Sequence, residues 1–249
     1  MARLKGKVAI VTGASKGIGS SIAEKLAEEG AAVAVNYARS GKEAESVVER
    51  IRAKGGKAVA IQGDVSRRAD VQKLFETTQK ELGPIDVLVN NAGVYEFRPI
   101  TDIDEEHVDR HFNLNVRGLL FATQEAVRAF GDRGGSIINV SSTIVESPVA
   151  NASVYGATKG AVDMISKSLA QELGPKKIAV NSVSPGLTET EGLHAMEGVE
   201  NITALATSRT PLGRAGKPED IANVVAFVAS PEAGWITGQV IGVNGGLRL

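Results

Sequence analysis

The chain has 249 residues with 28 basic and 29 acidic side chains, which gives a formal net charge of −1. A near-neutral chain of which 43% is hydrophobic is typical of a globular protein and gives no electrostatic reason to expect DNA or RNA as a partner. The absence of cysteine excludes disulfides, thiolate metal sites and cysteine nucleophiles, and His107, His111 and His194 are too scattered to predict a metal cage.

Apolar runs alternate with amphipathic segments along the whole chain. In chain order the pattern predicts a strand over 7–12, a helix over 17–29, a strand over 32–36, a helix over 42–53, a strand over 58–61, a helix over 67–82 and a strand over 85–89. It continues with a long helix over 104–130, a strand over 135–140, a helix over 153–173, a strand over 178–184, a helix over 219–229 and a last strand over 239–243. An irregular stretch, 185–214, interrupts the alternation and is expected to be a loop over the substrate.

The predicted strands are continuous apolar runs, which indicates that both of their faces are covered. Repeated strand–helix–strand units of this kind predict an α/β fold of the doubly wound, Rossmann type, with about seven parallel strands and helices on both faces of the sheet. No linker or internal repeat divides the sequence, so residues 1–249 are expected to form a single domain.

No segment of the sequence has the composition of a membrane helix. The longest apolar stretch, 221–229, is far shorter than the ~20 residues that a membrane span requires. No apolar region precedes the first strand, as it would in a secretory signal. The expected location is therefore the cytoplasm, with no membrane as a partner.

A glycine-rich turn lies between the first predicted strand and the first predicted helix. Gly13 permits a sharp turn, Gly17 allows the backbone to approach a pyrophosphate, and Gly19 allows the helix to pack closely on the strand. The free N–H groups and positive dipole at the start of the helix favour an anion. The turn therefore predicts a dinucleotide site with contacts from Gly13, Ser15, Lys16, Gly17, Ile18 and Gly19.

The residues after the second strand indicate which dinucleotide is bound. An acidic residue ~20 positions after the glycine turn would bind the adenosine ribose and select NAD, but no carboxylate occurs before Glu43. Arg39 instead offers a guanidinium to a 2′-phosphate, and Lys16 adds a second positive charge. NADP(H) is therefore predicted in preference to NAD(H), with Asn36 and Tyr37 in the same site.

A tyrosine and a lysine stand four residues apart on the predicted helix 153–173. At this spacing Tyr155 and Lys159 share one helical face, so their side chains can occupy one site. A free phenol has a pKa of about 10, and a cation ~4 Å away is expected to lower that pKa towards neutrality. The pair therefore predicts a general acid or base.

Together these motifs resemble the short-chain dehydrogenase/reductase family over essentially the whole chain. The glycine spacing G-x-x-x-G-x-G matches that family, as do Ser142, thirteen residues before Tyr155, and Asn115 with Gly118 three positions later. The resemblance implies a catalytic tetrad of Asn115, Ser142, Tyr155 and Lys159. In this tetrad Tyr155 would exchange the proton and Ser142 would bind the substrate carbonyl. Lys159 would lower the Tyr155 pKa and hold the nicotinamide ribose, and Asn115 would position a water near Lys159 through a helix irregularity.

The resemblance also implies cofactor contacts after the later strands. Asp64 and Val65 would lie at the adenine ring, and Asn91 would be a cofactor neighbour supported by Asn90. Two threonines that follow a strand-breaking Pro-Gly would lie near the nicotinamide amide and the pyrophosphate. The remaining implied contacts are Gly93, Tyr155, Lys159, Pro185, Gly186, Thr188 and Thr190.

The resemblance implies a hydride transfer between a ketone and a secondary alcohol, on a 3-oxoacyl thioester or on a small carbonyl compound. An acyl carrier protein is acidic, and Arg133, Lys176 and Lys177 are either candidates for binding it or ordinary exposed charges. An NAD-dependent sugar or alcohol dehydrogenase of the same family is one alternative. A regulator that binds NADP(H) without turnover is another.

Several further positions are expected to shape the pocket or the assembly. Val145 stands where the family often has glycine. The helix over 153–173 is narrow at Gly156 and Gly160, and the resemblance implies that it helps to form a homotetramer. Candidates for pocket walls, or for plain packing residues, are Tyr95, Glu96, Phe97, Val145, Glu146, His194 and Met196.

Overall fold

The computed structural model describes residues 2–195 and 198–247, and these form a seven-stranded parallel sheet with helices on both faces. The strands are β1 (Val8–Val11), β2 (Ala32–Tyr37), β3 (Lys57–Gln62), β4 (Val87–Asn90), β5 (Gly135–Val140), β6 (Ile178–Pro185) and β7 (Val240–Val243). The helices are α1 (Gly17–Glu28), α2 (Gly41–Ala53), α3 (Arg68–Leu82), α4 (Glu105–Phe112), α5 (Leu119–Phe130), α6 (Ser153–Leu173), α7 (Glu191–His194), α8 (Val199–Ser208) and α9 (Pro218–Val228). The predicted doubly wound α/β fold is confirmed.

The strand order is β3-β2-β1-β4-β5-β6-β7. β1 pairs with both β2 and β4, so the direction of winding reverses there and a crevice forms beyond the carboxyl ends of β1 and β4. Because every ladder is parallel, the segments that follow the strands meet at one side of the sheet, called the carboxyl edge below. Many of the predicted cofactor contacts follow strands, so this topology places them at the carboxyl edge.

Each face of the sheet carries its own apolar layer. In β1, Ala9 and Val11 pack with residues of α1, α2 and α9, whereas Val8 and Ile10 pack with residues of α3, α5 and α6. Successive side chains of a strand point to opposite faces, so a strand covered on both faces is apolar at every position. This explains why the strands of this chain are continuous apolar runs.

Two predicted segments differ from the structure. The helix expected over 104–130 is divided, because α4 and α5 are joined by a π-helical segment, Asn113–Gly118. The stretch 185–214, expected to be irregular, contains α7 and α8, so that prediction was wrong. Neither helix shows a long apolar stripe: α7 is a single turn capped by Thr190, and α8 buries none of its residues.

None of the helices in the described ranges combines the length and the apolar composition needed to cross a bilayer. Among the same residues, no three histidine, aspartate or glutamate side chains gather in a metal-binding arrangement. His107 and His111 are buried on α4 with ring centroids 4.3 Å apart, whereas His194 is exposed at the end of α7.

Candidate active site

The glycine-rich turn between β1 and α1 has no room for a Cβ at Gly13 or at Gly19. Gly13 has a left-handed φ of +61°, and a Cβ there would lie 2.8 Å from the Cα of Ala92. A Cβ on Gly19 would overlap Asn91 Nδ2 and would lie 2.6 Å from the Gly13 carbonyl oxygen. Gly17 has a left-handed φ of +59°. The path of the turn therefore depends on glycine at all three positions.

Two asparagines hold the turn in place. Asn36 is buried, its Oδ1 accepts from the Gly13 N–H at 3.2 Å, and its Nδ2 donates to two backbone carbonyls in the segment that ends β3. The predicted cofactor contact of Asn36 is therefore corrected: its side chain is used inside the protein and supports the turn. Asn91 Nδ2 donates to the carbonyls of Thr12 and Gly13 at 2.9 and 3.0 Å.

Thr12 is a supporting residue that the sequence analysis missed. Its hydroxyl donates to the Val89 carbonyl oxygen and accepts from the N–H groups of Asn91 and Ala92, both at 3.0 Å. It thereby fixes the end of β1 to the segment after β4. The signal in the sequence is one hydroxyl at the end of an otherwise apolar strand, directly before a glycine.

The start of α1 offers unused hydrogen-bond donors to the crevice. Among the described residues, no side chain caps this helix. Lys16, at the N-cap position, and Arg39, after β2, are both exposed and form no ion pair with another described residue. Ser15 and Ile18 flank the turn and are half-buried. The described residues thus place two free cations near a helix start that favours anions.

The segment after β3 is fixed by local hydrogen bonds. Asp64 Oδ1 accepts from the N–H and the hydroxyl of Ser66, at 3.0 and 2.7 Å, and the Asp64 N–H donates to Asp70. Val65 is buried, and a Cβ on Gly118 would lie 3.2 Å from its side chain. Asp64 and Val65 therefore have fixed positions at the carboxyl edge, where the sequence predicted an adenine contact.

Ser142, Tyr155 and Lys159 come together between β5 and α6. Ser142 lies just beyond β5, its Oγ accepts from the Ile144 N–H at 3.2 Å, and its side chain is near enough to the Tyr155 phenol to affect the pKa of that phenol. Tyr155 and Lys159 are one helical turn apart on α6, and Lys159 Nζ lies 5.8 Å from the centre of the Tyr155 ring. The structure thus brings three of the four predicted catalytic residues into one site.

The electrostatics of this pair differ from the expectation. Lys159 is 6% exposed, its Nζ donates to the Val140 carbonyl oxygen at 2.8 Å, and burial lowers the pKa of its ammonium to about 8. Burial raises the pKa of the Tyr155 phenol, and the Ser142 side chain opposes that rise. The expected net lowering of the Tyr155 pKa is not met, because loss of hydration dominates at the buried phenol.

Asn115 joins α6 to the segment after β4. Its Oδ1 accepts from the Val94 N–H at 2.9 Å, and its Nδ2 donates to the Val94 carbonyl and to Thr158 Oγ1. A cavity of about 10 Å³ lined by Asn115, Lys159 and Asn90 lies beside it, close to the smallest volume that holds a water. The π-helical segment provides the helix irregularity implied at this position.

Comparison with known proteins identifies the family to which this architecture belongs. Residues 13–248 match a family model described as enoyl-(acyl carrier protein) reductase. An uncharacterized oxidoreductase of Methylorubrum extorquens is 53% identical and is covered, like this chain, over 100% of its length. The solved structure of a short-chain dehydrogenase/reductase from Serratia marcescens has a TM-score of 0.93 and 40% identity over 99% of this chain and 100% of that one. The chain belongs to the short-chain dehydrogenase/reductase family.

A further solved structure extends the comparison to a bound cofactor. The angucycline C-6 ketoreductase with bound NADP has a TM-score of 0.91 and 40% identity over 98% of this chain and 96% of that chain. The family resemblance predicted from the motifs is thus confirmed. As a short-chain dehydrogenase/reductase, this chain is an oxidoreductase acting on CH–OH and C=O groups.

In this short-chain dehydrogenase/reductase, the segment after β6 lies over the glycine turn. Thr188 is buried and its hydroxyl donates to the Gly186 carbonyl oxygen at 2.9 Å, just after Pro185 ends β6. Thr190 caps α7 by accepting from the Leu193 N–H at 3.2 Å. A Cβ on Gly17 would lie 3.4 Å from Thr190 Cγ2. Thr190 therefore lies beside the glycine turn, and the implied contacts of Thr188 and Thr190 with a dinucleotide stay predictions.

Two aromatic rings after β4 flank Tyr155. The ring centroids of Tyr95 and Phe97 lie 6.3 and 6.1 Å from that of Tyr155, and both rings are more than one-third exposed. The Tyr95 hydroxyl occupies the space that a Cβ on Gly192 would need. Gly192 was missed in the sequence, because a glycine in a loop gives no sign that a distant phenol lies against it.

The other pocket candidates separate into exposed and ion-paired residues. Val145 and Glu146 are exposed beyond Ser142, and His194 is exposed on α7. Glu96 binds Arg98 at 2.7 Å and Arg110 at 3.1 Å. Its carboxylate therefore fixes the aromatic segment, which carries Tyr95 and Phe97. Gly93 is exposed, and a Cβ there would lie 3.8 Å from Lys159 Nζ. Met196 lies outside the described residues.

The basic residues proposed for an acyl carrier protein lie on the wrong side of the sheet. Arg133 precedes β5, and Lys176 and Lys177 precede β6, so all three lie at the amino ends of strands, opposite the carboxyl edge. Arg133 also donates to Asp86 and to the Ile85 carbonyl oxygen. Spacing in the sequence did not reveal this, because strand direction decides which edge a charge occupies.

Proposed function

We propose that this enzyme reduces a ketone to a secondary alcohol with NADPH and catalyses the reverse oxidation with NADP⁺. The observation that carries the proposal is the meeting of Ser142, Tyr155 and Lys159 beside the glycine turn. A hydroxyl, a phenol and an ammonium in one site can stabilise an oxyanion and transfer a proton. The NADP bound to the similar angucycline ketoreductase supports the choice of cofactor.

The crevice fits a dinucleotide. A turn without Cβ atoms at Gly13, Gly17 and Gly19, followed by a helix start without a side-chain cap among the described residues, suits a pyrophosphate. Bound NADP(H) supplies or accepts the hydride. We propose that its contacts come from the residues predicted for them in the sequence, except that Asn36 supports the turn from within.

Selection of NADP(H) over NAD(H) is assigned to two cations. Arg39 and Lys16 are exposed near the end of β2 and the start of α1, where an adenosine 2′-phosphate would carry negative charge. A guanidinium binds phosphate oxygens with two hydrogen bonds, whereas a carboxylate at this place would repel them. The absence of acidic residues between Asn36 and Glu43 supports the same preference.

Tyr155 is the proposed proton donor for reduction. Its raised pKa keeps the phenol protonated at neutral pH, as a donor to a developing alkoxide must be. Ser142 donates its hydroxyl hydrogen to the substrate oxygen and holds it next to Tyr155 Oη. Lys159 places a buried positive charge one turn away, which stabilises the phenolate left after transfer. Asn115 fixes α6 against the segment after β4, and the adjoining cavity has room for about one water.

The pocket walls favour a ketone with an apolar or aromatic substituent. Tyr95 and Phe97 present exposed rings beside Tyr155, and Val145 presents an apolar side chain beyond Ser142. A 3-oxoacyl thioester remains a candidate substrate, although the three basic residues considered for a carrier protein lie at the opposite edge. We propose that stretch 185–214, including α7, forms the movable wall of this pocket.

We also propose that the enzyme forms a homotetramer in the cytoplasm. Met164 on α6 is 65% exposed, and Leu120 on α5 is also exposed. Cβ atoms on Gly156 and Gly160 would meet no described atom within 4 Å, so the face of α6 that carries them is open. Small residues on an open face allow close approach of a second helix, which supports α6 as part of an interface.

Steady-state oxidation of NADPH and of NADH at pH 7 tests the proposal. The substrates are acetoacetyl thioester, a small aliphatic ketone, an aryl ketone, a sugar-derived ketone and an enoyl thioester. NADPH turnover with at least one ketone is expected. Tyr155→Phe is expected to lower kcat/KM by roughly 10³-fold, because the proton donor is lost, while NADPH still binds in a fluorescence titration.

Other results would redirect the assignment. A preference for NADH would contradict the role of Arg39, and turnover of the enoyl thioester alone would replace carbonyl reduction by reduction of a carbon–carbon double bond. Tight NADPH binding without turnover of any substrate would favour the regulator. Preference for acetoacetyl thioester would identify an acyl reductase, and preference for the other ketones a carbonyl reductase.

A further inference from the structure

A buried polar network lies between α6 and the central strands. Asn90 Nδ2 donates to Asn139 Oδ1 at 2.9 Å, and Asn139 Nδ2 donates to Ser166 Oγ at 2.8 Å. Ser182 Oγ donates to the same Ser166 hydroxyl at 2.8 Å. Polar groups in a core are costly unless they are hydrogen-bonded, so a network that crosses β4, β5, β6 and α6 calls for a role.

Asp163 is the one carboxylate buried next to this network in the described part of the chain. It is 7% exposed, and its Oδ1 is fully buried without a hydrogen-bond partner among the described residues. It stands four residues after Lys159 and eight after Tyr155, so the three side chains lie along one face of α6. A buried carboxylate with an unused oxygen on the face that carries the proposed proton donor is not explained by packing alone.

The surroundings of Asp163 contain few other charges. Lys159 and Lys167, both on α6, are the cations whose charges act on it, and the facing strands supply the hydroxyls of Ser141, beyond β5, and Ser182 of β6. Burial raises the pKa of the Asp163 carboxyl, and these four groups oppose the rise. Lys167 is exposed and screened by solvent, whereas Lys159 is buried, so the charge of Asp163 acts chiefly on Lys159.

Lys159 depends on this carboxylate in turn. Burial lowers the pKa of Lys159 to about 8, and the Asp163 carboxylate is the charged group that raises it again. The Ser141 hydroxyl lies 3.5 Å from the Lys159 carbonyl oxygen and also lowers the pKa of Asp163, so Ser141 lies near both residues. Without a negative charge nearby, a buried ammonium loses its proton more readily.

We propose that Asp163 is a positioning residue for Lys159: its buried carboxylate, one turn further along α6, keeps the Lys159 side chain charged and so sets the upper pH limit of the Tyr155–Lys159 pair. The inference rests on the proposed catalytic role of Lys159. It assigns a task to a residue that contacts neither substrate nor cofactor. A purely structural Asp163 would predict that a neutral residue of the same shape leaves the titration of Lys159 unchanged.

The first experiment compares the intact enzyme with Asp163→Asn, which keeps the shape of the side chain and removes its charge. The rate of ketone reduction is measured from pH 6 to pH 10. The alkaline limb of the kcat profile is expected to shift to lower pH by about one unit, because Asp163→Asn removes the interaction between the carboxylate and the Lys159 ammonium. Lys167→Gln, which removes the other charge near Asp163, is the matched control and is expected to leave that limb in place.

A second measurement does not need turnover. The ¹³Cε resonance of Lys159, assigned by its loss in Lys159→Met, reports the pKa of Lys159 directly. Titration of this resonance is expected at lower pH in Asp163→Asn and in Asp163→Ser, a smaller uncharged variant that serves if Asp163→Asn folds poorly by circular dichroism. Titration at the wild-type pH in either folded variant overturns the proposal. A shifted resonance in an enzyme that reduces no ketone would instead contradict the proposed function and leave the role of Asp163 standing.

Discussion

The two sides of the crevice are built in different ways. On the cofactor side, hydrogen bonds from Asn36 and Asn91 hold the glycine turn, Thr12 ties β1 to the segment after β4, and Gly13 and Gly19 have no space for a Cβ. On the substrate side, Tyr95 and Phe97 are more than one-third exposed, and α8 buries none of its residues. A fixed cofactor half beside a loosely held substrate half permits changes of substrate without changes of reaction.

The largest expected effect on NADPH affinity and on stability comes from a substitution in the glycine-rich turn, on the cofactor side. Gly19→Ala places a Cβ against Asn91 Nδ2 and the Gly13 carbonyl oxygen, and both belong to packed, hydrogen-bonded groups. We expect NADPH affinity to fall by at least ~100-fold and stability to fall by about 1–3 kcal/mol, since overpacking in a tight site costs that much. Fluorescence titration and urea unfolding measure the two effects.

Gly174→Ala is the control for this prediction, because a Cβ on Gly174 would meet no described atom within 4 Å. Its affinity for NADPH is expected to equal that of the wild type. If Gly19→Ala also binds NADPH normally, the cofactor side is less rigid than its hydrogen bonds indicate, and the contrast between the two sides is lost.

The next effect concerns the exposed rim of the cofactor side. Arg39→Ser is expected to raise the KM for NADPH by roughly 10-fold and to leave the KM for NADH unchanged, because one charge-assisted contact to phosphate is removed. Arg128→Ser removes the same charge from the end of α5 at the opposite edge and should change neither value. Equal changes for both cofactors in Arg39→Ser would contradict the proposed contact with the 2′-phosphate.

A smaller effect is expected from the loosely held side. Phe97→Ala removes a ring beside Tyr155 and is expected to lower kcat/KM about 10-fold for an aryl ketone, but less than about 3-fold for a small aliphatic ketone. Phe112→Ala, on α4, removes an equally exposed ring away from Tyr155 and is the control. A uniform loss for both ketones would indicate that Phe97 positions Tyr155 and does not select the substrate.

The smallest effect concerns acid stability near the aromatic segment. His111 is buried, its Nδ1 pairs with the His107 carbonyl oxygen at 2.8 Å, and its Nε2 accepts from the Glu96 N–H, an arrangement that requires a neutral ring. Burial lowers the pKa of His111. In the unfolded protein the pKa of His111 is about 6.5. The contribution of neutral His111 to the free energy of unfolding is therefore fully present above that pH. It is lost as the pH falls towards the lower pKa of the folded protein, by at most ~1.4 kcal/mol per pH unit.

Urea unfolding of the wild type and of His111→Gln between pH 8 and pH 5 measures this contribution. The difference in the free energy of unfolding between the two proteins is expected to shrink as pH falls. A difference that stays constant over this range would show that the pKa of His111 is the same in the folded and the unfolded protein, contrary to the prediction.

Much of the fold and the cofactor side could be predicted because their causes are local. Buried parallel strands require continuous apolar runs, and the turn requires glycine at Gly13, Gly17 and Gly19 for reasons of φ and space. Tyr155 and Lys159 were found by helical spacing, and Ser142 by the resemblance to the family. These features depend on residues that are near each other in sequence or at equivalent strand ends.

The features that the sequence did not reveal depend on distant contacts. The contact between Tyr95 and Gly192 joins segments that are far apart in the chain. The burial that raises the Tyr155 pKa likewise depends on segments that are distant in sequence. Asn36 was assigned to the cofactor because its place after the glycine turn is visible in sequence, whereas its bonds to the end of β3 are not. Asp163 was overlooked because a polar residue on a helix is usually exposed.

Because a π-helical segment joins α4 to α5, the rotation of one helix relative to the other depends on a single inserted residue. A π turn contains one residue more than an α turn, and each residue of an α-helix turns the chain by about 100°. Deletion of one residue within Asn113–Gly118 would therefore restore a regular helix and rotate α4 by about that angle relative to α5. The rotation would carry His111 away from the Glu96 backbone. A one-residue change in length would therefore release the segment that carries Tyr95 and Phe97 without altering any residue in it.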